Sequence, residues 1–126
     1  MAKLAILTRS RAPAEVPDTA AIDRRHLAAM TFGDRSLERE VLELFDRQSA
    51  MLIARMRGGG PEAIASLAHT LKGSAAGIGA GTVARDADAA EIAAAGSPSE
   101  CSQAIDRLAK AVDEARALIT ELLREG

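Results

Sequence analysis

The sequence predicts an all-α fold: an antiparallel, up-down four-helix bundle with a short extra helix in front of it. Three observations carry that expectation. Among 126 residues there are 28 Ala and 13 Leu, against 4 Val, 6 Thr, two Phe and no Trp or Tyr. Ala and Leu are strong helix formers, whereas strands favour β-branched and aromatic residues. Apolar residues recur at three- and four-residue steps over long stretches. Most of the Gly and Pro between those stretches mark short connections, which favour antiparallel neighbours.

Residues 1–18 read as an irregular arm, interrupted by Pro13 and Pro17 and made polar by Arg9, Arg11 and Glu15. Lys3 to Thr8 has strand-like character but no partner strand. Residues 19–126 are expected to form one domain, a size at which a single core is the norm.

The spacing predicts a short helix from about Asp23, a plausible N-cap, to Met30, with Gly33 as the stop. Asp34 caps a second helix running to about Arg57, with Leu37, Val41, Leu44 or Phe45, Gln48, Leu52 and Met56 as its apolar stripe. Gly58-Gly59-Gly60 ends it, and Pro61 suits the first position of a third helix, where a missing N–H costs nothing. That helix carries Ile64, Leu67, Ala68, Leu71, Ala75 and Ile78 on its core side. A fourth, Ala-rich helix is expected from about Ala80 to Ala95, with Val83 and Ile92 as its larger apolar residues and Gly96 as its stop. Ser97, Pro98 and Glu100 then spell a capping box. The fifth helix repeats Cys101, Ile105, Leu108, Val112, Ala115, Ile119 and Leu122 in strict 4-3 alternation, the seam of a bundle.

Composition removes several function classes. Thirteen Arg and 3 Lys are outweighed by 18 acidic residues, so no basic excess points to nucleic acid. The single cysteine, Cys101, excludes an intramolecular disulfide and a Cys-based zinc cage. The early apolar run Leu4 to Leu7 is too short for a signal-peptide core or a membrane span, so the expectation is a cytoplasmic protein with no membrane partner. A bundle di-iron site needs paired Glu-x-x-His motifs, which are missing, so no metal is expected. Gly58-Gly59-Gly60 lacks the Gly-Lys-Ser/Thr ending of a phosphate loop, and Gly77 to Gly81 follows a helix rather than a strand. No nucleotide or other cofactor is expected.

The third helix is unusual. On a helical wheel with His69 at zero, Leu67, Leu71, Ile64, Ala75 and Ile78 fall between about 160° and 240°. His69 therefore points to solvent. Glu62, Ala65, Ser66, Lys72, Gly73, Ala76 and Gly77 lie within about 80° of it. Exposed helix faces usually carry long charged side chains, and each interior Gly loses about 1 kcal/mol against Ala. A face this bare around one imidazole is the geometry a large partner needs to reach the ring. Lys72, one turn along, can meet an anion placed there.

Ala68-His69-Thr70-Leu71-Lys72-Gly73-Ser74, followed by Ala75-Ala76-Gly77-Ile78-Gly79-Ala80, closely resembles the signature of histidine-containing phosphotransfer (HPt) domains. Ile22-Asp23, Phe32-Gly33-Asp34 and Leu44-Phe45 match the earlier helices of that family in order and spacing, so the resemblance spans roughly residues 20–124. It implies a phosphorelay carrier in which His69 is the phosphoacceptor, Lys72 lies near the phosphate and Gly73 keeps the approach open. Family members often set a polar side chain from the next helix against the ring, and 22 residues after His69 that position is Glu91. A carboxylate there would accept the Nδ1–H and leave Nε2 as nucleophile. Ala90 departs from the family's usual Leu, which thins the packing beside Glu91. His26 has no comparable surroundings and reads as a structural or surface residue.

The partners implied are receiver domains of response regulators or a hybrid histidine kinase, with the carrier a monomer that has no ATP-dependent kinase activity of its own. Two other readings belong beside this one. An HPt-like adaptor would dock a receiver and sequester it, but His69, Lys72 and Gly73 are all present, against a degenerate site. The phosphoacceptor domain of a chemotaxis-type kinase would continue into dimerisation and ATP-binding regions, and the end of this chain soon after the fifth helix sets the opposite expectation.

Overall fold

The computed structural model describes residues 21–125, and the expected arm over residues 1–18 lies outside them. Among the described residues there are five helices and no strand: α1 Arg24–Met30, α2 Arg35–Arg57, α3 Pro61–Ile78, α4 Gly81–Ala93 and α5 Pro98–Glu125. The last four close a ring in which α2 packs on α3, α3 on α4, α4 on α5 and α5 back on α2. Their short connections make each sequential pair antiparallel. The short α1 lies against α3. No described helix is long and apolar enough to cross a membrane.

The helix ends follow local chemistry. Asp23 and Asp34 each accept a hydrogen bond from a backbone N–H three residues on, at 3.1 Å to His26 and Leu37. The capping box forms: Ser97 Oγ accepts from the Glu100 N–H at 3.1 Å, and Glu100 Oε1 accepts from the Ser97 N–H at 2.9 Å. Helix α4 stops at Ala93, two residues before the expected end, as the chain tightens into turns closed by Ala95 N–H to Ile92 O and Gly96 N–H to Ala93 O.

The core stripe of α5 is as the spacing predicts, with Ile105, Leu108, Val112, Ala115, Ile119 and Leu122 buried and Cys101 half-buried at its start. Fully burying a Leu or Ile side chain contributes roughly 1.5–3 kcal/mol, so this seam is a main source of stability. The stripe expected on α2 needs correction. Its buried residues are Leu42, Phe45, Ser49, Leu52 and Met56, while Leu44 is exposed and Leu37, Val41 and Gln48 are only half-buried. The helix has apolar residues on two adjoining faces, and only one faces α5 and the centre. On α4, Ile92 is exposed and the buried positions are Val83, Ala87 and Ala90.

The α3–α4 pair makes the most extensive contact of the bundle. Both helices bury small residues, Ala68 and Ala75 on α3 and Ala87 and Ala90 on α4, all with no exposed surface. Alanine lets helix backbones approach closely, which the wider Leu of a usual bundle seam prevents.

Gly79 joins α1 to this pair. It ends α3 in the left-handed region at φ 82°, and Ala80 N–H closes the turn on Ala75 O at 2.8 Å. Its own carbonyl accepts from the Asp23 N–H at 2.8 Å, and a Cβ there would lie 2.9 Å from Asp23 O and 3.2 Å from His26 Cβ. His26 thus flanks a close backbone approach at the foot of α1. Gly79→Ala is expected to lower stability by about 1–3 kcal/mol, and the thermal midpoint by roughly 5–15 °C. Gly81→Ala, with open space at its Cβ, is the control and should stay at or above the wild-type midpoint. Equal midpoints for the two variants would show that the α1 contact contributes nothing.

Candidate functional site

Helix α3 presents His69 and Lys72 three residues apart, and α4 presents Asp88 and Glu91 three residues apart. The close seam between the helices brings the four side chains together. His69 Nδ1 lies 3.2 Å from Glu91 Oε2 and 3.3 Å from Oε1. Lys72 Nζ donates to Asp88 Oδ1 at 3.0 Å and pairs with Glu91 Oε1 at 3.1 Å. The His69 side chain is 67% exposed and that of Glu91 only 31%, so the ring stands in solvent while its partner is braced in the seam.

An ionised carboxylate can only accept, so Nδ1 must be the donor. In the neutral imidazole the remaining nitrogen, Nε2, then carries the lone pair. Glu91 therefore selects the tautomer as well as the direction of the ring.

The charges support each other. The Lys72 ammonium beside Glu91 holds its carboxyl below the usual carboxylate range, with His69 adding a smaller pull in the same direction, and partial burial opposing both. Hydrogen bonding to Asp88, then to Glu91, raises the Lys72 ammonium above its ordinary value. Glu91's contribution to stability is thus complete above the ordinary Glu value and is lost as pH falls through its depressed one. That of Lys72 is complete below the ordinary Lys value and is lost as pH rises through its raised one.

The rest of the expected surface divides. Gly73 and Gly77 line a shallow apolar groove with Met30, Val41, Leu44 and Gln48, next to the His69 face. Glu62, Ser66 and Ala76 are exposed and Ala65 half-buried on the same helix, but none of them lines the groove. Nothing lies within 4 Å of a Cβ built on Gly73, and on Gly77 one would only touch Met30 Cε at 3.6 Å. Among the described residues, nothing fills the space at Gly73 and only Met30 approaches that at Gly77.

Two features escaped the sequence. Asp88 is one. Its signal was an Asp-x-x-Glu pair on the helix following a His-x-x-Lys pair. The groove is the other. Its signal was the second apolar face of α2, where Leu44 stands beside Phe45.

Among the described residues, the helical bundle holds the exposed His69 imidazole through Nδ1 against Glu91. The sequence matches the Hpt domain family over residues 40–118. The chain belongs to that family, whose members are phosphocarriers of the histidine phosphotransfer type. The crystal structure of histidine-containing phosphotransfer protein B (HptB) from Pseudomonas aeruginosa PAO1 is similar in fold, with a TM-score of 0.76 over 86% of this chain and 99% of that one, at 20% sequence identity. No match was found among curated protein sequences.

Ring nitrogen NMR of the wild-type protein is expected to report the Nδ1–H tautomer for neutral His69. Glu91→Ala should return the ring to the Nε2–H preference of an unconstrained histidine side chain. Its thermal midpoint should move by only a few degrees, because exposed ion pairs contribute about 0–1 kcal/mol. Lys72→Ala should raise the Glu91 titration midpoint towards the ordinary value. A midpoint unmoved by Lys72→Ala would mean that this ion pair does not form in solution.

Proposed function

We propose that this chain carries a phosphoryl group on His69 between receiver-domain aspartates, as the intermediate of a two-component phosphorelay. The observation that carries this reading is the bond from His69 Nδ1 to Glu91, which leaves Nε2 free and exposed. Nε2 attacks the phosphorus of the receiver's aspartyl phosphate. The N–P bond forms as the acyl-phosphate O–P bond breaks, and the receiver's carboxylate departs. The Nδ1–H stays with Glu91, which steadies the positive charge the ring gains. Transfer to a second receiver reverses each bond change.

Such a step needs positioning and charge neutralisation more than covalent machinery on the carrier. Lys72 supplies one cation beside the ring, and the receiver brings the rest of its own site. The bare face supports the docking half of the reading. Gly73 and Gly77, with Met30 and Leu44, offer a shallow apolar groove beside the acceptor. The chain works as a carrier, with no phosphorylation of its own from ATP.

Phosphotransfer profiling against the receiver domains of the source organism tests the reading. A cognate receiver charged with radiolabelled phosphate should label wild-type protein at His69 alone, with the acid lability and relative base stability of a phosphoramidate. His69→Gln should carry no label, and Lys72→Ala should slow transfer by about one to two orders of magnitude. Incubation with ATP alone should give none. Label surviving in His69→Gln would move the acceptor elsewhere, with His26 the first suspect.

The glycine face has its own test. Gly73→Arg meets open space and replaces a poor helix former with a good one, worth up to about 1 kcal/mol. Its thermal midpoint should equal or exceed wild type while transfer from the receiver is lost. Normal transfer by this variant would mean that the groove is not where the receiver sits.

A further inference from the structure

The Lys72 ammonium is already shared between two carboxylates before any phosphate arrives. Asp88 Oδ1 accepts its hydrogen bond at 3.0 Å and Glu91 Oε1 lies 3.1 Å away. With the imidazole neutral, the cluster of His69, Lys72, Asp88 and Glu91 carries one net negative charge. Glu91 has an evident task at Nδ1. Asp88 touches no ring atom, and its bond to Lys72 is half in solvent, with side-chain exposures of 51% and 33%. For binding an anion on His69, a second carboxylate on the neighbouring cation is a disadvantage.

We propose that Asp88 is a positioning residue that makes phospho-His69 easier to give away: it holds Lys72 back from the phosphoryl group and adds a like charge beside it. This rests on His69 being the acceptor. The attacked acyl phosphate brings a phosphoryl group with two negative charges onto Nε2. Its only cation on α3 within one turn is Lys72, whose hydrogen-bonding capacity Asp88 partly occupies. To reach the phosphate, Lys72 must leave Asp88 or share its ammonium with it. Either way the phosphorylated state loses part of the neutralisation a free lysine would supply. The exchange between His69 and the receiver's aspartate is thereby shifted towards the aspartate. The chain is set up to pass phosphate on rather than to store it.

The test is the equilibrium of that exchange, measured with the receiver found by profiling and charged with radiolabelled acetyl phosphate. The ratio of phosphohistidine to aspartyl phosphate is read for wild type, Asp88→Asn and Asp88→Glu, at low and high salt. Asp88→Asn keeps the shape and removes the charge. It is expected to raise the phosphohistidine share about three- to tenfold at low salt, with the gain shrinking as salt screens the exposed charges. Asp88→Glu should restore the wild-type ratio. All three proteins should show the same thermal midpoint, which a merely structural role for Asp88 would not predict. A ratio unchanged or lowered in Asp88→Asn, with the label still on His69, overturns this inference and leaves the carrier reading intact. Label that survives in His69→Gln overturns both.

Discussion

An imidazole standing in water holds neither one tautomer nor one direction. In this protein both depend on how closely α4 lies along α3. The carboxylate beside the ring belongs to α4 and reaches Nδ1 at 3.2 Å, on a helix whose buried positions include Ala87 and Ala90. Larger residues at Ala87 or Ala90 would force the helices apart or strain their rotamers. Ala90 departs from the family's usual Leu, yet it is fully buried and Glu91 still reaches the ring.

The rest of the bundle keeps that seam in register. The 28-residue α5 packs against α4 and closes the ring on α2. Ties between side chains reinforce the closure: Arg116 Nε donates to Asp46 Oδ1 at 2.8 Å, and Arg39 Nη1 donates to Leu123 O at 2.8 Å. The foot of α3 is held separately by Gly79, whose missing side chain lets the Asp23 backbone come within hydrogen-bond distance. Among the described residues, the His69 face of α3 meets the rest of the bundle through Glu91, Asp88 and Met30. Gly73 meets open space, Gly77 meets Met30 alone among the described residues, and the buried side of the helix is formed by Ile64, Ala68, Leu71, Ala75 and Ile78.

Charge sets the character of the site. A single ammonium sits between two carboxylates beside His69, so the two acids outnumber the one lysine there. That suits the carrier role proposed for His69. A strongly basic pocket would hold phosphate and slow its release.

Much of this was legible in the sequence. Helix content followed from Ala and Leu abundance, and the caps at Asp23, Asp34 and Ser97 from short-range hydrogen bonding that needs no tertiary partner. The core stripe of α5 and the outward aim of His69 followed from helical period alone. Three things were decided only by the tertiary structure. Which of two apolar faces of α2 is core depends on where α5 lies, so Leu44 and Val41 turned out to line a groove beside Gly73. The pairing of Lys72 with Asp88 depends on the separation and rotation of two helices, quantities that no periodicity encodes. The grip of Glu91 on His69 was anticipated by position, but its length of 3.2 Å depends on how α3 and α4 pack. Local rules act over one turn of chain, whereas helix-to-helix distance is the sum of every side chain packed between them.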